Sequence, residues 1–281
     1  MIHNSFYGYG QVAAAPRVYK NSEGKFAQAI VPVATIRGRR DAGNNLDKVR
    51  YDCPTIRTRK EEQVREINSW KENDMVLVKG TVTSREVVRK RECPCCKNIN
   101  ESQGIITFIN PIYCSKIEDN IQHSYGVSLL RERNEISNNV TLSGMLTCDP
   151  LYYKSESGVE TTQYQICVFR KFRIMEDDPE RKVDFIWVRS FGKIARKDAE
   201  DLKKGMRVLL DGYLQTRSYE KVNVCDSCGE KFLSDENSME IVPYAVEYFR
   251  GSLEQEDIVE MDEAELLKAD EAASGSVLNN L

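Results

Sequence analysis

The sequence predicts an all-β protein of two tandem β-barrels, with one short helix in each, followed by a disordered acidic tail. Three observations predict this class: the chain repeats itself, each copy is rich in strand-like segments, and residues 251–281 hold a concentrated negative charge. A length of 281 residues favours two domains. The apolar runs are too short for a membrane span, so the sequence excludes a helical membrane protein.

The repeat is visible as two blocks of matched residues. At an offset of 134, identical residues recur as Asn4/Asn138, Gly10/Gly144, Pro16/Pro150, Lys20/Lys154 and Gly24/Gly158. Farther along, VLVKGTVTSR at 76–85 matches VLLDGYLQTR at 208–217 at an offset of 132, so two residues are lost in between. This duplication predicts a domain at 1–118, a linker at 119–137, a second domain at 138–250 and the tail at 251–281.

Both copies follow one order of predicted elements. The second copy has four segments with alternating, β-branched or aromatic residues: NVTLSGMLT, TTQYQICVF, KVDFIWVRSF and RVLLDGYLQTRSY. One amphipathic helix interrupts them, GKIARKDAEDLKKG, and its counterpart in the first copy is EEQVREINSWKEND. Three strands, a helix and a long hairpin form the order of an OB-fold barrel.

Charge is divided unevenly between the domains and the tail. Residues 251–281 hold nine acidic side chains and one lysine, whereas residues 1–250 hold 39 bases and 35 acids, so the body is +4 and the tail −8. A basic body with an acidic tail is typical of nucleic-acid-binding proteins. The first residues contain no leader-like segment, so we expect a cytoplasmic protein whose nine cysteines are reduced thiols or metal ligands.

A face of aromatic and basic side chains is predicted on the strands of the second copy. In VDFIWVRSF, alternation separates Ile186 and Val188 from a second set, which is Phe185, Trp187, Arg189 and Phe191. The next strand repeats the pattern with Tyr213, Gln215, Arg217 and Tyr219. Rings stack on bases of any identity and interleaved cations hold phosphates, so the face favours single-stranded DNA or RNA. The alternative is that these rings fill a barrel core or a subunit interface.

The first copy offers basic residues in place of rings. The runs IRGRR (36–40) and IRTRK (56–60) contain Arg37, Arg39 and Arg57. These arginines are candidate contacts to a nucleic-acid backbone.

Two Cys-x-x-Cys pairs keep the offset of 132, at Cys93/Cys96 and at Cys225/Cys228. Each pair offers two thiolates, whereas a closed tetrahedral zinc site needs four. The simplest site is therefore one structural zinc held by all four cysteines, which would pin the two long hairpins together within one chain or across a dimer. The alternatives are a separate site in the first copy that uses Cys95 or Cys114, and no metal at all.

The second copy resembles the bacterial-type single-stranded DNA-binding protein family. The resemblance covers most of 138–219 and rests on the order and spacing of NNVTLSGMLTCDP, QICVFRKF, VDFIWVRSFGKIA and LKKGMRVLLDGYLQTRSY. It implies an OB fold and aromatic stacking on DNA at four positions, which here are Phe172, Phe185, Phe191 and Tyr219. Double-barrel members of the family dimerise, so a homodimer is also implied.

In the first copy, the same comparison matches Tyr51 to Phe185, Arg57 to Phe191 and Val87 to Tyr219. With fewer rings, the first domain is expected to contact mainly the DNA backbone, or to bind more weakly. Two features depart from the family: the cysteine pairs, and a tail that ends SGSVLNNL without a terminal Pro-Phe.

Two functions follow from these observations. The first is a non-enzymatic protein that coats single-stranded DNA in replication and recombination. The second is a zinc-stabilised adaptor that recruits replication or primase partners, with EDIVEMDEAELL in the tail as one contact. A catalytic site is not predicted, because the sequence has no paired histidines, phosphate-binding loop or acidic cluster tied to an activating metal.

Overall fold

The computed structural model describes residues 3–37, 51–170 and 182–249. The elements of the first half are β1 (Asn4–Val12), β2 (Arg17–Lys20), β3 (Phe26–Ile36), β4 (Tyr51–Asp52), β5 (Thr55–Thr58), α1 (Glu61–Asn68), β6 (Met75–Glu92) and β7 (Ile99–Glu118). Those that follow are α2 (His123–Glu132), β8 (Asn139–Leu146), β9 (Leu151–Lys154), β10 (Glu160–Phe169), β11 (Val183–Phe191), α3 (Gly192–Asp201), β12 (Arg207–Val224) and β13 (Lys231–Phe249). The predicted acidic tail lies outside the described residues.

Each half of the chain closes into a barrel with the predicted order of elements. In barrel 1 (β1–β7), β1 pairs with β3 and β6, β3 with β5, and β7 with β6 and in parallel with β5. In barrel 2 (β8–β13), β8 pairs with β10 and β12, β10 with β11, and β13 with β12 and in parallel with β11. The predicted fold class, two OB barrels in one mostly β chain, is therefore confirmed.

The long hairpins of the two barrels bend at equivalent glycines. The pairing register shifts at Gly80 in β6 and at Gly212 in β12. A Cβ on Gly80 would lie 2.4 Å from the carbonyl oxygen of Asn110, and one on Gly212 would lie 2.2 Å from that of Val242. Only glycine accommodates such a close approach of two backbones. The strands of the two hairpins have nearly equal lengths, 18 and 20 residues in barrel 1 and 18 and 19 in barrel 2. They continue beyond residues 76–85 and 208–217, where the sequence repeat is visible.

One apolar core continues through both barrels. In β11, Ile186 and Val188 are fully buried in it, as the alternation of VDFIWVRSF predicts. In barrel 1 the same role falls to Ile56 and Ile109, which pair across β5 and β7. Each such aliphatic side chain contributes about 1.5–3 kcal/mol on burial, and this core includes neither Trp187 nor Phe191 from the opposite face of β11.

The barrels are joined by a strand pair and two mirrored ion pairs. Strands β1 and β8 pair antiparallel, Asn4–Tyr7 against Asn139–Leu142, so one sheet runs through both barrels. In barrel 1, Arg37 binds Asp52 at 2.6 Å, and the Asp52 carboxylate accepts the backbone N–H of Thr216 of barrel 2 at 2.8 Å.

The equivalent contact from barrel 2 to barrel 1 uses the same types of residue and hydrogen bond. Arg170 of barrel 2 binds Asp184 at 2.9 Å, and the Asp184 carboxylate accepts the backbone N–H of Ser84 of barrel 1 at 2.8 Å. Asp52/Asp184 and Thr216/Ser84 are equivalent at the offset of 132. The duplicated halves therefore associate like the two subunits of a symmetric dimer.

The segment between the barrels packs on the outside of barrel 1. Leu129 and Leu130 of α2 cluster with Tyr9 and Met75, and the Arg133 guanidinium donates to the Tyr9 hydroxyl at 3.0 Å. This segment, predicted as a plain linker, thus contains a helix. No helix within the three described ranges is both long and apolar enough to cross a membrane.

Candidate nucleic-acid interface and metal centre

Barrel 2 presents a mixed aromatic face on the side opposite its core. Strand register aligns Tyr153, Thr161 and Phe191 in one row across β9, β10 and β11, and Leu151, Gln163 and Arg189 in the next. Trp187 precedes Arg189 on the same face by alternation. These residues, with Tyr153 55% and Phe191 39% exposed, are called the barrel 2 face: Leu151, Tyr153, Gln163, Trp187, Arg189 and Phe191.

Arg189 is held in place by a buried carboxylate. Its Nε donates to Oε1 of Glu240 at 2.8 Å, and Glu240 is only 2% exposed. Glu240 lies on β13, opposite Gln215. The pair fixes the guanidinium on the barrel 2 face and also offsets its charge.

Phe185 lies on the same side of β11 but is covered by the other barrel. It is 4% exposed and packs with Met145, Cys167 and Val183, and Ile105 from the β6–β7 hairpin joins this cluster. Its backbone N–H donates to the Ser84 hydroxyl at 2.9 Å. In this arrangement its ring contributes to the contact between barrels and has no surface free for a base.

The remaining predicted residues of barrel 2 lie on the long hairpin. Arg217 is exposed and its guanidinium lies 5.8 Å from the Tyr219 ring. Tyr219 is half-buried and pairs across the hairpin with Glu236. Tyr213 is largely buried, with the Arg37 guanidinium 5.0 Å from its ring. Phe172 falls outside the described residues.

Barrel 1 has a corresponding face with a different composition. Register aligns Arg17, Ile30 and Arg57 in one row across β2, β3 and β5, and Tyr19 pairs with Gln28 beside it. The Arg57 side chain donates to Gln28 at 3.1 Å and lies 5.2 Å from the Phe108 ring. The following set is called the barrel 1 face: Arg17, Tyr19, Ile30, Thr55 and Arg57, with Arg59, one residue beyond the end of β5, added by alternation from Arg57.

The strand pairing corrects the residue equivalence inferred from the sequence. The parallel pairs Ile56–Ile109 and Val188–Ile241 are equivalent, and each partner differs by 132. Counting from them, Phe185 corresponds to Cys53 rather than Tyr51, and Phe191 corresponds to Arg59 rather than Arg57. The matching hydrogen bonds from the Cys53 and Phe185 backbones to Thr216 and Ser84 agree with this register.

Two other predicted residues of the first copy, Tyr51 and Arg37, lie away from the barrel 1 face. Tyr51 is 36% exposed and packs near His123, with ring centroids 6.2 Å apart. Arg37 is buried in its ion pair with Asp52 at the contact between barrels. It is therefore structural in this arrangement. Arg39 lies outside the described residues.

Sequence reasoning did not single out eight members of the two faces, four of which lie on edge strands: Arg17, Tyr19, Leu151 and Tyr153. They lie on the short edge strands β2 and β9, which carry too few residues for an alternation pattern to be read. The signal available was the repeat itself, since RVYK and LYYK occupy the same place in the two copies.

The four predicted metal ligands come together at the tips of the two long hairpins. The sulfur atoms of Cys93, Cys96, Cys225 and Cys228 all lie within 4.8 Å of one another, with Cys93–Cys228 at 3.8 Å and Cys96–Cys225 at 3.5 Å. A tetrahedral zinc with Zn–S bonds of about 2.3 Å separates its sulfurs by about 3.8 Å. The four thiols of one chain therefore fit a tetrahedral thiophilic ion.

Each cysteine pair is presented by the same tight turn. The N–H of Cys93 donates to the carbonyl of Asn98 at 2.8 Å, and the N–H of Cys225 donates to that of Glu230 at 2.9 Å. A left-handed residue completes each turn, Lys97 with φ 62° and Gly229 with φ 71°. Among the four thiols without an ion, the backbone N–H of Cys228 lowers the pKa of Cys225 to about 6, whereas the hydrogen bond with Cys96 raises the pKa of Cys228 to about 12.

Polar contacts beside the cluster also join the hairpins. Glu236 of β13 is 4% exposed and binds two guanidinium groups of β6, those of Arg89 and Arg91. The Asp226 N–H donates to the side chain of Asn100 at 2.9 Å. Cys114, the alternative ligand considered for a separate site, is instead buried in the barrel core, where burial raises its pKa to about 12.

Comparison with known proteins finds similarity to single-stranded DNA-binding proteins. Residues 137–228 match the model of the single-strand binding protein family. Relatives named "Single-stranded DNA-binding protein" include that of Fusobacterium nucleatum, 39% identical over 83 residues (30% of this chain, 54% of that protein). Another is that of Clostridium tetani, 38% identical over 84 residues (30% and 56%). The chain thus spans about half the length of the curated relatives it matches.

Structural similarity extends over both barrels. The crystal structure of the wild-type single-stranded DNA binding protein from Thermus aquaticus superposes with a TM-score of 0.57 at 16% identity, covering 89% of this chain and 95% of that one. This similarity supports the two-barrel fold, and the sequence matches are confined to the second barrel. Residues 137–228 of this chain are thus similar in sequence to the single-strand binding protein family.

Proposed function

We propose that this protein binds single-stranded DNA across the barrel 1 and barrel 2 faces and coats it without reading its sequence, during DNA replication and recombination. The observation that carries the proposal is the barrel 2 face, where Tyr153, Trp187 and Phe191 lie beside Arg189 although the core is complete without them. Exposed rings suit unpaired bases, and the exposed Arg17 and Arg59 of barrel 1 suit their phosphates. The proposed role is binding alone, with no catalytic step.

Stacking should depend on which side of β9 an aromatic residue occupies. Tyr153 and Phe191 lie on the barrel 2 face, whereas Tyr152, next in sequence and 40% exposed, lies on the other side and donates to Glu160. Tyr153→Ala and Phe191→Ala are each expected to raise the Kd for oligo(dT) about tenfold, since a stacked base contributes about 1–3 kcal/mol. Fluorescence titration at fixed salt measures the change.

Tyr152→Ala is the matched control and should leave the Kd within about twofold, because its ring faces away from the bound strand. Equal weakening by Tyr152→Ala and Tyr153→Ala would contradict the assigned face. Phe185→Ala, by contrast, should act mainly on stability, since its ring is buried between the barrels.

We also propose that Cys93, Cys96, Cys225 and Cys228 hold one structural zinc. The support is the near-tetrahedral spacing of four thiols from two hairpins of one chain. A site closed by four thiolates has no open coordination position, so the ion would pin the hairpins and perform no chemistry.

Protein partners form the remaining part of the proposal. Residues 251–281 are strongly acidic and are proposed to recruit replication or recombination proteins. In the second candidate function, a zinc-stabilised adaptor, this recruitment is the main role. An exposed apolar pair near the tip of the β12–β13 hairpin favours the adaptor function, because Val222 and Leu233 lie opposite each other across the strands.

Pull-downs with the full chain and with residues 1–250 discriminate between DNA coating and partner recruitment as the main role. The mass of the protein in solution tests the proposed homodimer.

A further inference from the structure

The two faces differ in chemistry at most of the positions that are equivalent between the barrels. At one such position the change runs from apolar to polar, from Ile30 to Gln163, but at three others a polar or cationic residue of barrel 1 is replaced by an apolar or aromatic one in barrel 2. The equivalent pairs are Arg17/Leu151, Thr55/Trp187 and Arg59/Phe191. Two positions are identical in the two faces, Tyr19/Tyr153 and Arg57/Arg189. The faces therefore have these residues in common and differ at the positions around them.

The cations of barrel 1 are available to an external anion. Arg17 and Arg59 are both exposed. Within residues 3–37, 51–170 and 182–249, neither guanidinium has a carboxylate at ion-pair distance. An exposed arginine with this freedom can bind a phosphate oxygen without first breaking an internal contact.

Barrel 2 offers rings and almost no net charge on its face. Its one arginine, Arg189, is bound to the buried Glu240 at 2.8 Å. A phosphate at this point would meet a guanidinium whose charge is already offset. Tyr153, Trp187 and Phe191, with Leu151 beside them, instead provide an apolar surface on which bases can lie.

We infer that the two barrels divide the recognition of one strand: barrel 1 binds mainly the phosphates through Arg17 and Arg59, and barrel 2 binds mainly the bases through its rings. The inference rests on the proposed function and adds the chemical group that each barrel recognises. Phosphate contacts release counterions and set the salt dependence of binding, whereas stacking is nearly independent of salt. The two contributions can therefore be separated by mutation.

The test uses two double variants of the full chain and two probes. The probes are oligo(dT) and an abasic deoxyribose-phosphate oligomer of the same length, each titrated over a range of NaCl concentrations. Arg17→Ala/Arg59→Ala should reduce the slope of log K against log salt by about 1.4, from about 0.7 per single-strand phosphate contact. It should also weaken the abasic oligomer and oligo(dT) by the same factor.

The stacking variant should behave in the opposite way. Tyr153→Ala/Phe191→Ala is expected to weaken oligo(dT) about a hundredfold, while the salt slope and the affinity for the abasic oligomer stay unchanged. The charge-retaining variant Arg17→Lys/Arg59→Lys is the control and should keep the wild-type slope. All four side chains are exposed or half-exposed, so circular dichroism should report a native fold.

Equal loss of slope in the two double variants, or an unchanged slope in Arg17→Ala/Arg59→Ala, would overturn the division between barrels. Failure of the proposed function has a different signature. In that case the wild-type protein itself would show no preference for single strands over duplex, whatever the variants do.

Discussion

Asp184→Ala is expected to lower the free energy of unfolding by about 3–5 kcal/mol, because it leaves a buried guanidinium without its counter-charge. Arg170 and Asp184 are 5% and 1% exposed, and their groups lie 2.9 Å apart. The same carboxylate accepts the Ser84 N–H at 2.8 Å, so the variant also removes an acceptor at the contact between barrels. Urea denaturation followed by circular dichroism measures the change.

The control is an ion pair of the same charge on the surface. Glu61 and Arg65 pair on α1 at 2.6 Å, but both side chains are more than half exposed. Glu61→Ala should therefore change the free energy of unfolding by less than about 0.5 kcal/mol. If Asp184→Ala proves no more destabilising than Glu61→Ala, the mirrored ion pairs do not hold the barrels together.

Cys225→Ser is expected to abolish zinc binding and to free the two hairpins from each other. The wild-type chain should contain one zinc per chain by metal analysis, and the variant none. Binding to the folded state alone stabilises it by about 4 kcal/mol when free zinc is about a thousandfold above its Kd. The melting temperature should then fall by roughly 8–16 °C in the variant or on chelation.

Cys95→Ser is the matched control, because Cys95 is exposed in the same turn and is not one of the four clustered thiols. It should retain both the zinc and the melting temperature. Zinc content that persists in Cys225→Ser, or is lost equally in Cys95→Ser, would contradict the four-thiolate site.

The duplication made much of the fold predictable from sequence. It gave the two barrels, the helix in each, and the pairing of CPCC with CDSC, because a repeat constrains both copies at once. Alternation in VDFIWVRSF correctly separated the core residues Ile186 and Val188 from Trp187, Arg189 and Phe191. These are local patterns, which a sequence displays directly.

Long-range packing accounts for what the sequence did not reveal. Phe185 falls by alternation on the same side of β11 as the exposed Phe191, which predicts that it binds DNA. The hairpin of the other barrel covers its ring, however, and no local sequence pattern encodes that contact. The Tyr51 match was wrong because the offset steps from 134 to 132 across segments whose register only strand pairing defines. The role of Arg37 in a buried ion pair likewise depends on Asp52, which a basic run does not indicate.

The most direct test of single-strand binding is a competition between two unlabelled nucleic acids for protein bound to fluorescent oligo(dT). Two stacked bases at about 1.4 kcal/mol each correspond to about a hundredfold preference that a closed duplex cannot provide. We expect unlabelled oligo(dT) to displace the probe at concentrations at least about a hundredfold below those of a duplex of equal length. Equal displacement by the two competitors would contradict the proposed function.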